Sequence, residues 1–288
     1  MSEKPPSDVP LPYADRPVAT APGHWVLARA GKRVLRPGGA ALTAAMLDHA
    51  RLPGSDVVEL APGLGRTAAE IVAARPASYT AIDRDPQAAA RVAAVVGDRG
   101  VVRQGEAADT GLDDACADVV VGEAMLTMQG DKSKAAIVAE AARVLRPGGR
   151  YAIHELGVAP DDIDEEYYTQ LRRDLARAIH VNARPMTAAA WRGLLEDAGL
   201  VVDWVDTAPM ALLKMSRNLR DEGPGGAARI MWNVMRDKAL RARVMEMRRT
   251  FTRYEKDMVG IALVAHKPEA GAGTAPEEAG AEGSSPEA

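Results

Sequence analysis

The sequence predicts an α/β fold organised around a largely parallel sheet. From Ser55 onward, short runs of β-branched residues alternate with longer Ala-rich segments of helical period, and the connections between them are brief. A glycine-rich turn also follows the first strand, where a ligand crevice forms at the carboxyl ends of parallel strands.

Residues 55–60 (SDVVEL) read as a buried strand, and 66–76 (RTAAEIVAARP) as a helix that Pro76 stops. Residues 78–83 (SYTAID) make the second strand. Residues 86–96 (PQAAARVAAVV) open on a proline, whose missing N–H costs nothing in a first helical turn, with Asp85 as the cap before it. The third strand is 100–105 and the fourth 117–123 (ADVVVGE); a helix over 131–145 leads to a fifth strand at 150–156 (RYAIHEL). Beyond it the pattern predicts a long helix over 161–181, a capped helix over 187–199 and a sixth strand over 200–206. A helical insertion over about 210–257 then precedes a seventh strand at 258–267. Ile230, Val234, Leu240, Val244, Met247 and Phe251 recur at three- and four-residue steps and give it an apolar stripe.

The heptapeptide RVLRPGG occurs at 33–39 and again at 143–149, with unrelated flanks, so it is one helix-stopping device used twice rather than a repeated unit. In the second copy Pro147 ends the helix and two glycines reverse the chain into strand five. The first copy predicts a helix over 24–35, stopped by Pro-Gly-Gly, and a new helix from about Ala40.

The ends differ from this domain. Residues 1–22 are rich in proline and polar residues, and 268–288 form an acidic tail without a large apolar side chain; both are expected to be disordered, leaving one domain over 23–267. A net charge of −4 argues against a nucleic-acid binder. The single cysteine, Cys116, excludes an intramolecular disulfide, and the five scattered histidines give no metal site. Without an apolar stretch of membrane-spanning length, a cytoplasmic protein with no membrane insertion is expected. Nothing in the sequence sets its oligomeric state.

Residues 63–68 (GLGRTA) fit a G-x-G-x-x-G/A fingerprint, and Asp83 lies twenty residues beyond Gly63, where a ribose-binding acid stands in a dinucleotide fold. The loop alone does not separate NAD from another adenosine cofactor. The chain as a whole resembles the class I S-adenosylmethionine-dependent methyltransferases, of the type 11-like kind that act on small molecules, at several places in the right order. ELAPGLG resembles their first motif, with Glu59, Gly63 and Gly65 in place and Ala61 at the first glycine. YTAIDRDP carries the second-strand acid, Asp83, with Arg84 beside it. Gly105, Glu106 and Ala107 stand where the family commonly has G-D-A, and ADVVVGEAML and RVLRPGG match its fourth strand and its turn into the fifth.

The resemblance implies a doubly wound Rossmann-like sheet of seven strands with the last antiparallel. It also implies S-adenosyl-L-methionine as cofactor. Asp83 would hold the ribose hydroxyls, Glu59 the methionyl ammonium, and Glu106 and Ala107 the adenine, with Arg84 and Glu123 nearby. N-terminal helices that fold over the cofactor in such proteins suggest Arg36, or Arg33, for the methionyl carboxylate. Methyl transfer needs a general base only for an acceptor that must lose a proton. His154, Glu155 and Glu123 are the candidates, and strand alternation forbids His154 and Glu155 from pointing the same way. The insertion, with seven of the twelve methionines in it or at its edge, is the expected lid over a small-molecule acceptor. Its stretch 217–257 carries eleven Lys/Arg against six Asp/Glu. An NAD-dependent oxidoreductase using GLGRTA, and a non-catalytic cofactor-binding protein, remain open alternatives.

Overall fold

A computed structural model describes residues 17–33, 35–210 and 215–269. Helices α1 (Gly23–Arg29) and α2 (Ala40–Ala50) precede β1 (Asp56–Leu60), α3 (Arg66–Ala73), β2 (Ser78–Asp83), α4 (Pro86–Val96) and β3 (Val101–Gln104). Then follow β4 (Ala117–Glu123), α5 (Asp131–Val144), β5 (Leu145–Val158), α6 (Glu165–Ile179), α7 (Ala188–Glu196), β6 (Val201–Pro209), α8 (Met215–Arg236), α9 (Lys238–Arg253) and β7 (Met258–His266).

The seven strands lie in the order β3-β2-β1-β4-β5-β7-β6. β1 to β5 pair in parallel, and β7 runs antiparallel between β5 and β6. This is the doubly wound sheet the sequence predicts. The order reverses between β1 and β4, so their carboxyl ends open a crevice. At the centre of β4, Val119, Val120 and Val121 are apolar in succession because both faces of the strand are covered. On one side Leu126, Ile137, Val138, Trp191 and Leu195 pack on the sheet, and on the other Leu42, Met46, Ile71, Val92 and Val96.

Several boundaries depart from expectation, three of them with a visible cause. α1 stops at Arg29 rather than continuing to 35, because Gly31 enters the left-handed region (φ 100°) and the amides of Gly31 and Lys32 turn back to Ala28 O and Leu27 O. β5 begins at Leu145 instead of 150, since Leu145 pairs with Ala117 before an irregularity in the register restores regular pairing from Arg150. The packed domain starts before residue 23: Val18 and Ala21 sit against α1 and α9, and the amides of Thr20 and Ala21 return to Pro17 O. The rest of the termini expected to be disordered, 1–16 and 270–288, lies outside the described residues, as does 211–214 of the expected lid. Within α8, Gly223 (φ 72°) and Pro224 break the helix in two.

Candidate active site

A cavity of about 760 Å³ opens over the carboxyl ends of β1, β2 and β4. Its floor is the glycine turn. β1 delivers the chain to Ala61, whose N–H donates to Ile82 O (2.8 Å); Ala61, Gly63 and Gly65 then take φ of 52°, 57° and 73°. Ala61 therefore adopts the conformation that glycine would more readily supply. A Cβ on Gly63 would meet only Ala61 O, at 3.8 Å, so the turn presents bare backbone to the cavity. A Cβ on Gly65 would press on Val95 and Val92 at 3.3 and 3.5 Å, so that glycine serves the packing of α3 on α4.

Asp83, buried at the end of β2, braces this turn: Oδ2 accepts from Gly63 N–H (3.1 Å) and Oδ1 from Asp85 N–H (2.9 Å). Asp85 caps α4 by accepting from the amides of Gln87 and Ala88, as expected. Burial raises the Asp83 pKa above the usual carboxylate range. Glu59 lies deeper on β1, 1 % exposed, and accepts from the Tyr79 hydroxyl at 2.5 Å. Its burial, with the neighbouring carboxylate of Glu123 adding to it against the opposing Tyr79 bond, pushes its pKa up to about 8. Glu106, Ala107 and Arg84 line the cavity at its outer edge, where Glu106 and Arg84 are exposed.

Beneath the cavity the structure joins residues far apart in sequence. Glu123, at the end of β4, faces Arg36 Nε at 3.0 Å and His154 Nδ1 at 2.8 Å, and accepts from the hydroxyls of Thr43 and Thr67. Arg36 also donates to Glu70 (3.1 Å) and Thr67 (2.9 Å). Burial would raise the Glu123 pKa, but Arg36 foremost, with His154 and Thr43, holds it down at about 2. All three guanidinium nitrogens of Arg36 are thus engaged by protein, although the side chain borders the cavity together with Arg33 and Leu35.

His154 and Glu155 do point to opposite faces of β5, but neither borders the cavity. His154 is fully buried, with Nδ1 on Glu123 and Nε2 donating to Pro37 O of the first Pro-Gly-Gly turn. It fastens that turn to the sheet, and its ring has no free nitrogen for an acceptor. Gly260 of β7 lies under the same turn, where a Cβ would come within 2.4 Å of Pro37 C. Glu155 accepts from the amides of Met125 (2.9 Å), Leu126 (2.7 Å) and Thr127 (3.0 Å) and from the Thr127 hydroxyl (2.7 Å). It moulds the loop after β4, of which Ala124, Met125 and Met128 face the cavity. Changing Glu155 to Ala leaves those donors buried without an acceptor. We expect a loss of about 3 kcal/mol, roughly 6–12 °C in Tm for a chain of this size, measured by calorimetry.

Sequence reasoning missed His24, Trp25 and Ser133, which border the cavity. Burial holds the His24 pKa at about 4, so its imidazole is neutral at pH 7. The signal, HW at the start of the first helix, carries no spacing that marks a site. Among the described residues of the insertion expected as a lid, none borders the cavity. Met210, Met247 and Met258 are core, whereas Met231, Met235 and Met245 are exposed. The wall is instead α1 and the segment after it, which α8 backs from outside through Asn233 Nδ2 to Ala30 O (3.1 Å) and Arg229 Nη2 to Gly31 O (3.2 Å).

Residues 58–153 match the family described as methyltransferase domain. An uncharacterised protein of Haemophilus influenzae is 29 % identical over 251 residues, covering 85 % of this chain and 98 % of its own. Among solved structures, a putative sarcosine dimethylglycine methyltransferase from Galdieria sulphuraria shares 16 % identity at a TM-score of 0.60, over 80 % of this chain and 84 % of its own. A Haemonchus contortus phosphoethanolamine N-methyltransferase, solved with S-adenosylhomocysteine, shares 14 % at 0.64, over 86 % and 58 %. The [4+2]-cyclase SpnF shares 17 % at 0.63, over 92 % and 100 %. At these identities the solved structures are likenesses of fold.

Proposed function

We propose that this chain, whose residues 58–153 match a methyltransferase domain, transfers a methyl group from S-adenosylmethionine to a small-molecule acceptor by in-line displacement in the cavity above β1 and β4. The observation that carries the reading is the bare-backbone turn at Gly63 braced by Asp83, with Glu59 beneath it. No Walker lysine follows the glycines, and Glu59 and Asp83 are acids, so the donor set suits a cation and a diol rather than a phosphate. When bound, S-adenosylmethionine supplies an electrophilic methyl on a sulfonium.

The chain's own residues then have separable tasks. Asp83 keeps carboxylate lone pairs available to ribose hydroxyls while holding the turn. Glu106 and Ala107 flank the adenine end, with Arg84 at the rim. Glu123 and Arg36 form the rigid base of the methionyl end rather than a mobile clamp. On the acceptor side, His24 presents a neutral imidazole able to accept a hydrogen bond from an O–H or N–H, a task for which His154 has no free nitrogen.

Glu59 gives this reading a proton signature. A carboxyl whose pKa is raised to about 8 is protonated in the free protein at pH 7. Facing a ligand ammonium requires the carboxylate, so binding releases a proton and tightens as pH rises from 6 toward 8. The sign for the unliganded fold follows: the stability tied to protonated Glu59 is full below pH 4.5 and is lost as pH rises through about 8. Calorimetric titration at pH 7 in two buffers of different ionisation enthalpy should show release of close to one proton, and Glu59→Gln should remove it. Release unchanged in that variant contradicts the role. The function is tested by incubating the protein with methyl-labelled cofactor and a metabolite extract; a labelled small product supports it, and label confined to macromolecules overturns it.

A further inference from the structure

Beyond the break at Gly223, α8 and α9 carry large exposed apolar side chains. On α8, Met231, Trp232 and Met235 are 42, 59 and 60 % exposed, and on α9 Met245 is 41 % exposed. Spacings of three and four residues put the α8 group on one side of its helix. The opposite side, with Ile230, Asn233 and Val234, is already used against α1 and the segment after it. The exposed ridge is therefore surplus to folding.

Cations flank it. Arg236 lies over the Trp232 ring at 5.6 Å, and Lys238, Arg241, Arg248 and Arg249 are exposed along α9. The acids among them are committed: Asp237 caps α9 through the amides of Ala239 and Leu240, and Glu246 pairs with Arg243 at 2.7 Å. In a chain of net charge −4, this face is locally basic. A second copy related by a twofold axis would set these cations against one another. An anionic surface would instead complement them, and a tryptophan with neighbouring methionines beside a row of Arg and Lys is the composition that lies in a lipid interface. No helix among the described residues is long and apolar enough to cross a membrane, so the contact would be peripheral.

We propose that the outer face of α8 and α9 seats this protein on a membrane surface bearing anionic headgroups, with Met231, Trp232 and Met235 entering the interface and the α9 cations contacting the headgroups. The proposal stands apart from the identity of the methyl acceptor.

Co-sedimentation of the full chain with mixed phosphatidylcholine–phosphatidylglycerol vesicles tests it against pure phosphatidylcholine vesicles. Binding is expected to the anionic vesicles only and to fall steeply with salt. Trp232→Ala with Met235→Ala should weaken it by at least about tenfold, and Arg248→Gln with Arg249→Gln should weaken it too. All four positions are exposed, so circular dichroism and Tm should hold. Anionic vesicles should shift tryptophan emission to the blue. Trp232→Phe should abolish the shift while binding persists, because Trp25 and Trp191 are buried and Trp204 is half-buried on His49. Equal binding to both vesicle types, no binding to either, or self-association abolished by Trp232→Ala without vesicle binding would each overturn the proposal.

Discussion

Replacing Asp83 with alanine is expected to weaken S-adenosylmethionine binding by on the order of a hundredfold or more while the protein stays folded. Two contributions add. Charge-assisted hydrogen bonds to a ribose diol are worth about 1.5–3 kcal/mol each, and a pair reaches or exceeds a hundredfold in Kd. The same substitution frees Gly63 N–H and Asp85 N–H, so the turn loses its brace as well as its ligand partner. Asp83→Asn separates the two: its amide oxygen can still receive Gly63 N–H, yet it lacks the charge. We expect an intermediate loss for Asn by titration calorimetry. Equal, small losses in both variants would remove Asp83 from the binding site.

Replacing Glu123 with alanine is expected to produce the larger effect on stability. Arg36 is 4 % exposed and His154 fully buried, and Glu123 is the carboxylate that joins them. Removing one partner from a buried ionic cluster costs about 3–5 kcal/mol, because the remaining charge keeps its desolvation penalty. A Tm lowered by roughly 6–20 °C should be visible by calorimetry. Glu123 also predicts an acid response. Its folded pKa of about 2 lies below the ordinary 4.5, so its contribution is present above pH 4.5 and is lost as pH falls through about 2. Glu123→Gln should flatten that part of the stability profile. A variant as stable as the wild type, with the same acid limb, would show that the cluster contributes nothing to the fold.

The fold was legible where one local period dominates. Strand β4 is centred on three consecutive valines, α4 carries its proline and aspartate cap, and β2, α4 and β4 fall where the sequence sets them. Boundaries moved where a single residue competes with the pattern: Gly31 ends α1 before the Pro-Gly-Gly signal is reached. Most residues read for the cofactor side border one cavity because they cluster at the ends of consecutive strands. His154 and Glu155, read as candidate bases, do not border it, because chemistry was read without environment. Histidine is the residue type most often used as a base, but the role of His154 is set by Pro37, 117 positions away, and by Glu123. The Arg36 network draws on Thr43, Thr67, Glu70, Glu123 and His154, a set that no spacing announces. The repeated heptapeptide shows the same division. Its second copy is a local turn into β5, with Gly148 at φ 77°, whereas its first copy is pinned by His154 and places Arg33, Leu35 and Arg36 around the cavity.

The most direct measurement is calorimetric titration of the full chain with S-adenosylmethionine, S-adenosylhomocysteine and NAD in parallel. The account predicts saturable binding of the first two, both weakened in Asp83→Ala, and no heat of binding from NAD. Binding of NAD alone, or equal binding of S-adenosylmethionine by the wild type and Asp83→Ala, would contradict it.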